Sequence, residues 1–211
     1  MAAVVFDLGG VLIDWDPRHL YRTLFAGDEP AMEAFLGTVC TPEWNARLDA
    51  GASWPDAVAE LARRFPAERD RIVAYWERWP EMLGGAIEGS VEILADLRAA
   101  GVPVYALSNW SAATFAITRE RFPFLDWFAG IVISGEEGIA KPDPRLFEIL
   151  LDRYGLDPRA VAYVDDRADN VAVAARLGMR AVRFDGPPAL RAALAGLGVP
   201  GEGPGGARAR R

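Results

Sequence analysis

Residues 3–12 read AVVFDLGGVL, and this stretch decides the fold. Four apolar or small residues run without a break up to Asp7, and two glycines, Gly9 and Gly10, follow. A continuous apolar run, as opposed to an alternating one, is typical of a strand covered on both faces, as in a parallel sheet. We therefore predict a buried parallel strand over residues 3–6 that ends at Asp7.

Other apolar runs repeat this pattern along the chain, at residues 104–107, 131–133 and 161–164, with a weaker one at 181–184. Amphipathic helical patterns lie between them, at residues 90–100, 144–154 and 169–177, each followed by a glycine. Strands that alternate with helices predict an α/β core of the Rossmann-like, doubly wound type, built on a parallel sheet.

Residues 15–85 interrupt this alternation with helical signals and no convincing strand. Thr41 and Ser53 read as N-caps, and four of the seven tryptophans, Trp44, Trp54, Trp76 and Trp79, lie in the interior of the segment. We predict a small all-helical cap domain at 15–85, inserted after the first strand of a core domain formed by 1–14 and 86–195. Residues 196–211 are rich in Gly and Pro and are predicted to be a disordered tail.

Composition limits the classes of function. The 211 residues are 51% apolar, which is enough for one sizeable core and a small accessory lobe. A net charge of -7 argues against a nucleic-acid partner, and one cysteine excludes an internal disulfide or a cysteine-rich zinc site. Because no 18-residue apolar run occurs and the first strand follows Met1 directly, we expect a cytoplasmic protein without a membrane partner, either a monomer or a homodimer.

Polar side chains stand where the predicted strands end. In an open parallel sheet, ligands bind beyond the carboxyl ends of the strands. Each of these residues alone has an ordinary explanation as a turn, cap or surface residue. An acid, a hydroxyl, a lysine and paired acids in this order are much harder to obtain by chance. The candidates for one shared site are Asp7, Ser108, Asn109, Lys141, Asp165 and Asp166.

Four segments carry a resemblance to a known family: VFDLGGVL at 5–12, LSN at 107–109, GIAKP at 138–142 and YVDDRADN at 163–170. They are similar to the four motifs of the haloacid dehalogenase superfamily, and the match spans residues 4–184. The resemblance implies a sheet order of 5-4-1-2-3 by sequence rank. That order would bring Asp7 between Ser108 and the pair Asp165 and Asp166.

The resemblance also implies a magnesium-dependent hydrolase, in which Asp7 attacks the phosphorus of a small phosphate ester, such as a sugar phosphate, and forms an aspartyl-phosphate. A phosphate charge about 4 Å from a carboxylate costs roughly 4 kcal/mol per charge pair at an effective dielectric near 20, so a cation is required. The implied Mg²⁺ ligands are the Asp7 carboxylate, the Gly9 carbonyl and Asp166, supported by Asp165 and Asp169.

The phosphoryl oxygens would be bound by the remaining strand-end groups. The resemblance assigns this role to Lys141, to the Ser108 hydroxyl, and to the backbone N–H groups of Leu8 and Asn109. Lys141 and Ser108 would thereby join Asp7 as catalytic residues, because they stabilise charge as it moves onto those oxygens.

One position departs from the family pattern. Most phosphatases of the family carry a second aspartate two residues after the nucleophile as general acid and base, and here that residue is Gly9. General acid catalysis is typically worth about 10²–10⁴-fold. Asp14, Asp16 or His19 could replace it, with solvent exposure at a helix start as the ordinary alternative for all three. A leaving group of low pKa would need the acid least.

Two other functions remain open from the sequence. In a 2-haloacid dehalogenase, Asp7 would attack carbon without a metal, but the acidic pair Asp165 and Asp166 is costly in an anion-binding cleft unless a cation lies there. A degenerate member that binds a phosphorylated ligand without turnover is the second. The presence of Asp7, Lys141 and Asp166 together argues against it, because a binding module needs no nucleophile.

Overall fold

The alternation of apolar runs and amphipathic segments appears as alternating strands and helices in the structure, a computed structural model that describes residues 3–200. The strands of this range are β1 (Ala3–Phe6), β2 (Ile13–Trp15), β3 (Leu83–Ala86), β4 (Val104–Ser108), β5 (Gly130–Ile133), β6 (Val161–Asp165) and β7 (Arg180–Arg183). The α-helices are α1 (Arg18–Leu24), α2 (Glu29–Thr38), α3 (Pro42–Asp49), α4 (Trp54–Arg64), α5 (Arg69–Glu77), α6 (Glu88–Ala99), α7 (Ala112–Arg121), α8 (Ser134–Glu137), α9 (Pro144–Tyr154), α10 (Ala168–Arg176) and α11 (Pro187–Gly196).

Five strands form one parallel sheet in the order β5-β4-β1-β6-β7. Counted by rank among these five strands and read from β7, this is the predicted order 5-4-1-2-3. The predicted doubly wound α/β fold is therefore confirmed. Phe6 lies beside Ala106 of β4 and beside Val164 of β6. Asp7, Ser108 and Asp165 therefore meet at one edge of the sheet, directly beyond its central strand.

Both faces of the sheet are covered, which explains why its strands are apolar without a break. Successive side chains of a strand point to opposite faces. Val4 and Phe6 belong to the apolar cluster that includes α6 and α11, whereas Ala3 and Val5 belong to the cluster that includes α9 and α10. No face of β1 is left for polar residues until the strand ends at Asp7.

Helices α1 to α5 lie between β2 and β3, which pair antiparallel with each other. The prediction that residues 15–85 contain only helices was therefore wrong for the two-stranded ribbon that β2 and β3 form. Gly84 and Gly85 give β3 little intrinsic strand preference. Their pairing with β2 is a tertiary contact that no local pattern announces.

The helical insertion has an aromatic core. The rings of Trp54 and Trp76 stack at 4.7 Å between centroids, and Trp44 meets Tyr75 edge to face at 5.1 Å. This group is continuous with the apolar cluster on the face of the sheet that carries Val4 and Phe6. In addition, Trp54 Nε1 donates a 2.7 Å hydrogen bond to Ser111 Oγ in the loop after β4, which ties the insertion to the core.

The end of the described range is packed, not disordered. Helix α11 runs to Gly196, and Val199 is buried against the core cluster. The predicted tail therefore starts too early, because Leu190, Leu194 and Val199 together offer an apolar face that the Gly and Pro content conceals. The rest of the predicted tail, 201–211, lies outside the described residues. Across 3–200, every helix falls short of the length and apolarity that a bilayer crossing requires.

Candidate active site

The centre of the candidate site is a lysine ammonium held between two carboxylates. Asp7 directly follows β1, and Asp165 ends the neighbouring strand β6. Lys141 Nζ lies 2.9 Å from Asp7 Oδ2 and 2.7 Å from Asp165 Oδ2, and it donates a 2.8 Å hydrogen bond to the carbonyl of Leu107. The side chains of Asp7, Lys141 and Asp165 are 9%, 1% and 0% exposed, so solvent screens these charges little.

The second oxygen of the Asp7 carboxylate is also held. Asp7 Oδ1 accepts hydrogen bonds from Ser108 Oγ at 2.6 Å and from the Leu8 backbone N–H at 2.7 Å. Both oxygens are thus oriented by donors at the strand ends. Ser108 Oγ, the Leu8 N–H and Lys141 Nζ are therefore also the donors nearest to an anion that binds beside this carboxylate.

Asp165 is fully engaged by protein groups. Its carboxylate accepts from Tyr163 Oη at 2.5 Å, from Asn170 Nδ2 at 3.0 and 3.1 Å, and from the Arg167 backbone N–H at 2.9 Å, in addition to Lys141. A carboxylate with this many donors has few free lone pairs. Its structural effect is to fix the position of Lys141.

Asp166 is placed differently, on the open side of the pair. Asp7, Asp165 and Asp166 each offer an oxygen, and the three atoms lie within 4.8 Å of one another. Burial, together with the negative charge of Asp165, raises the pKa of Asp166 above its usual value. Gly10 makes the approach possible, because it has a φ of 73° and a Cβ there would stand 2.9 Å from Asp166 Oδ2.

The ionisation of the central groups follows from this geometry. Burial raises the pKa of Asp7 above its usual range, and the charge of Lys141 opposes the shift. Burial alone would raise the pKa of Asp165 and lower that of Lys141, but their mutual attraction reverses both effects. With all three acids ionised, three carboxylates around one ammonium leave a net charge of −2. Hard oxygen ligands at this spacing suit a divalent cation such as Mg²⁺.

Position 9 has no side chain with which to act. Gly9 lies in the turn after β1, which Leu12 and Ile13 close by donating their N–H groups to the carbonyl of Leu8 at 2.8 and 2.9 Å. A Cβ at Gly9 would stand 3.7 Å from Cζ3 of Trp110, so an indole edge lies over the position. At the position where the family pattern has a second carboxyl, this site has the apolar edge of the Trp110 ring.

With this geometry in view, the chain was compared with known proteins. A family model described as haloacid dehalogenase-like hydrolase matches residues 1–178. The chain belongs to that family. It is 29% identical over 178 residues to a sesquiterpene phosphatase of Aspergillus oryzae, covering 84% of this chain and 86% of the relative. It is also 32% identical over 159 residues to a phosphoserine phosphatase of Thermus thermophilus, covering 74% and 58%.

Solved structures of the family share the fold. An enzyme of this haloacid dehalogenase-like family from Bacteroides thetaiotaomicron, solved with magnesium and inorganic phosphate, superposes with a TM-score of 0.67 at 23% identity, covering 88% of this chain and 95% of that one. An L-2-haloacid dehalogenase of Xanthobacter autotrophicus gives a TM-score of 0.62 at 19% identity, covering 94% and 84%. Both likenesses establish the architecture of this hydrolase. They leave its substrate to the site itself.

The candidate acids from the start of the insertion are bonded to their own neighbours. Asp14 Oδ2 pairs with His19 Nε2 at 2.9 Å, next to Gly84 of β3. Asp16 accepts from the Arg18 N–H at 2.9 Å, at the start of α1. Each of these carboxylates is engaged by its own neighbours and has substantial exposure, at 49% for Asp14 and 33% for Asp16.

Two further predicted residues lie at the edge of the site. Asp169, in the first turn of α10, pairs with Arg167 at 2.8 Å and is outside the three-carboxylate cluster. The Asn109 side chain bonds both backbone groups of Lys141, accepting from its N–H at 2.8 Å and donating to its carbonyl at 2.9 Å. Asn109 thus fastens the loop that delivers Lys141 to the strand ends.

Sequence reasoning missed three residues that the structure brings to the site. Tyr163 and Asn170 hold Asp165, and Asp49 reaches the site from the helical insertion. A signal existed for Asn170, since it falls on the helix that follows the Asp pair. Lys141, by contrast, was predicted from the sequence, and it is the only lysine among the 211 residues. No local pattern marks Asp49.

Proposed function

We propose that this hydrolase is a magnesium-dependent phosphatase that cleaves a small phosphate ester through an aspartyl-phosphate on Asp7. The observation that supports it most is the Asp7 carboxylate, buried and held between the Ser108 hydroxyl and the Lys141 ammonium, with the Asp166 carboxylate beside it. The matched relatives with phosphatase names agree in direction with this proposal.

The donor set fits a magnesium ion. Asp166 has a raised pKa and forms no ion pair within residues 3–200, and Gly10 leaves room for its carboxylate near Asp7. We propose Asp7, the Gly9 carbonyl and Asp166 as the protein ligands, with Asp165 and Asp169 in support. When bound, the ion would offset the charge of the carboxylates and polarise the phosphoryl group.

The residues of the chain would divide the work as follows. An Asp7 oxygen attacks phosphorus in line, and the ester oxygen leaves with the electron pair of its bond to phosphorus. Lys141, Ser108 and the N–H groups of Leu8 and Asn109 donate to the phosphoryl oxygens. Because Lys141 is already fixed by Asp165 and Leu107, it needs little reorganisation when that charge arrives. Water then cleaves the aspartyl-phosphate and returns Asp7.

Small substrates suit the helical insertion, because it packs on the core and is bonded to the loop after β4. We propose a small phosphorylated metabolite, such as a sugar phosphate, as the partner, and neither nucleic acid nor a membrane. A cytoplasmic location and a monomeric or homodimeric state belong to the same proposal. The buried, unpaired thiol of Cys40 is compatible with a reducing compartment.

Dehalogenation fits the site less well. Even with the Lys141 ammonium between Asp7 and Asp165, three carboxylate oxygens within 4.8 Å of one another repel an incoming carboxylate substrate unless a metal cation is bound. A binding protein without turnover would have no need of a nucleophile held on both oxygens. The phosphatase remains the function that uses every charged group of the cluster.

The test is a panel of phosphorylated metabolites assayed with Mg²⁺ and with EDTA. We expect phosphate release that requires Mg²⁺ and that Asp7→Asn abolishes, and we expect beryllofluoride to inhibit as an aspartyl-phosphate analogue. Asp126→Asn, an exposed carboxylate paired with Arg119, is the matched control and should keep full activity. Halide release from 2-chloropropionate in EDTA, without phosphate release from any ester, would refute the proposal.

A further inference from the structure

The C-terminal end of α3 is fastened to the core beside the strand ends. Ser134 Oγ donates to the backbone carbonyl of Asp49 at 2.5 Å, and the same oxygen accepts from the Trp110 N–H at 2.9 Å. Trp110 follows the strand-end pair Ser108 and Asn109 in the chain. Asp49, the last residue of α3, is therefore held by Ser134, which is itself bonded to the loop after β4.

The Asp49 side chain is surrounded by neutral groups. Its Oδ2 accepts from Asn45 Nδ2 at 2.9 Å, and Tyr75 Oη in turn donates to Asn45 Oδ1 at 3.0 Å. From the core, the backbone N–H of Ser111, in the loop after β4, favours the charged form of this carboxylate. These contacts orient the carboxyl group without supplying a positive charge. It has the surroundings of a group that can hold a proton.

The charges around Asp49 act in the same direction. Burial raises its pKa to about 7, the Ser111 N–H partly opposes the shift, and the negative charge of Asp7 adds to it. Among the groups of neighbouring elements, Tyr75 of α5 is a neutral phenol whose pKa is raised further by burial, and Glu137 of α8 is paired with Arg153 at 2.7 Å. Asp7 is thus the charged group that acts on the pKa of Asp49.

We propose that Asp49, from the helical insertion, is the general acid and base that Gly9 does not supply. The inference rests on the proposed phosphatase reaction. As Asp7 bonds to phosphorus and the bond from phosphorus to the ester oxygen breaks, the Asp49 carboxyl gives its proton to that oxygen, which leaves as an alcohol. The Asp49 carboxylate then takes a proton from the water that attacks the aspartyl-phosphate, and Asp7 leaves phosphorus as a carboxylate.

The candidate acids Asp14 and Asp16, at the start of the insertion, lack these features. Asp14 pairs with His19 and is 49% exposed, and Asp16 pairs with Arg18 and is 33% exposed. Asp49 instead combines desolvation with neutral hydrogen-bond partners and an electrostatic link to the nucleophile. Because Asp49 lies on the insertion, it can act as the acid only when the insertion is packed against the core.

The test compares two substrates that differ in their need for a proton. An alkyl phosphate releases an alkoxide that must be protonated, whereas acetyl phosphate releases a stable carboxylate. For Asp49→Asn with Mg²⁺, we expect kcat/KM to fall by about 10²–10⁴-fold on the alkyl ester. On acetyl phosphate we expect a fall of less than about tenfold. Asparagine keeps the shape of the side chain and can still accept from Asn45 Nδ2.

The pH profile gives a readout that a structural role would not move. In the wild type, kcat/KM on the alkyl ester should fall as the pH rises through about 7, because the acid must be protonated in the free enzyme. The profile on acetyl phosphate should lack this limb, and so should Asp49→Asn on the alkyl ester. The wild-type comparison of the two esters stands even if the variant folds poorly.

The outcomes separate this inference from the function on which it depends. Equal losses on both esters in Asp49→Asn, or an alkyl profile without the limb in the wild type, would overturn the role of Asp49 and leave the phosphatase intact. If the wild type with Mg²⁺ hydrolysed neither ester, the proposed function would fail, and the inference with it. Asp56→Asn, at an exposed site on the next helix, is the matched control and should leave kcat/KM unchanged on both esters.

Discussion

Lys141→Met removes the positive charge that lies between Asp7 and Asp165 while keeping a side chain of similar length. The ammonium is 2.9 Å from one carboxylate and 2.7 Å from the other, and all three side chains are at least nine-tenths buried. Methionine fills the space but leaves two carboxylates facing each other at the end of the sheet. The variant therefore tests whether this triad is an electrostatic unit.

The expected loss of stability can be worked from these contacts. A unit charge pair at about 3 Å is attracted by roughly 6 kcal/mol at an effective dielectric near 20, before desolvation is counted. Removing one partner of a buried pair typically costs about 3–5 kcal/mol, because the other charge stays buried and uncompensated. For a domain of this size, that is a fall in melting temperature of about 6–20 °C, at about 2–4 °C per kcal/mol.

The pH dependence has a definite sign. In the wild type, Lys141 lowers the pKa of Asp165, so the stability from this pair is present above the unfolded pKa and is lost as the pH falls through the folded one. In the variant, burial and mutual repulsion place the folded pKa values of Asp7 and Asp165 above the unfolded ones. Stability is then lost as the pH rises. The gap between the two proteins should widen from about pH 5 to about pH 8.

Urea unfolding of both proteins at several pH values, followed by circular dichroism, measures this gap directly. Arg145→Met is the matched control, since Arg145 pairs with Asp143 in the same loop but is exposed, and its loss should leave stability nearly unchanged. The electrostatic account would be contradicted if the free energy of unfolding of Lys141→Met at neutral pH were less than about 1 kcal/mol below that of the wild type, with the same pH dependence.

Other predictions concern the glycines, the only lysine and the link between insertion and core. Gly10→Ala should weaken Mg²⁺ binding by about 10–100-fold in calorimetric titration, because its Cβ would press on Asp166, whereas Gly9→Ala has ordinary space and should bind normally. Among side chains, an amine-specific reagent should label native protein slowly and unfolded protein once, at Lys141, as counted by mass spectrometry. Trp54→Phe removes the donor to Ser111 and should lower the free energy of unfolding by about 1 kcal/mol without changing Asp7-dependent chemistry.

Much of the architecture could be read from periodicity. Unbroken apolar runs such as 3–6 and 161–164 are long enough to specify buried parallel strands, and glycines such as Gly101 and Gly155 mark the helix ends. The strand order came from the resemblance, because the apolar pattern is the same whichever strand lies next to β1. The ribbon of β2 and β3 escaped prediction, since Gly84 and Gly85 acquire strand conformation only through their partner.

The candidate site divides in the same way. The sequence by itself determined which acids, hydroxyl and lysine stand at strand ends, because a parallel sheet places the carboxyl ends of its strands at one edge. Only the tertiary structure decided that Asp165 holds Lys141 while Asp166 stays open, and that Asp49 reaches the loop after β4 from another part of the chain. Hydrogen bonds and pKa values depend on distances across the fold and on burial. Neither is encoded in the spacing of residues along the chain.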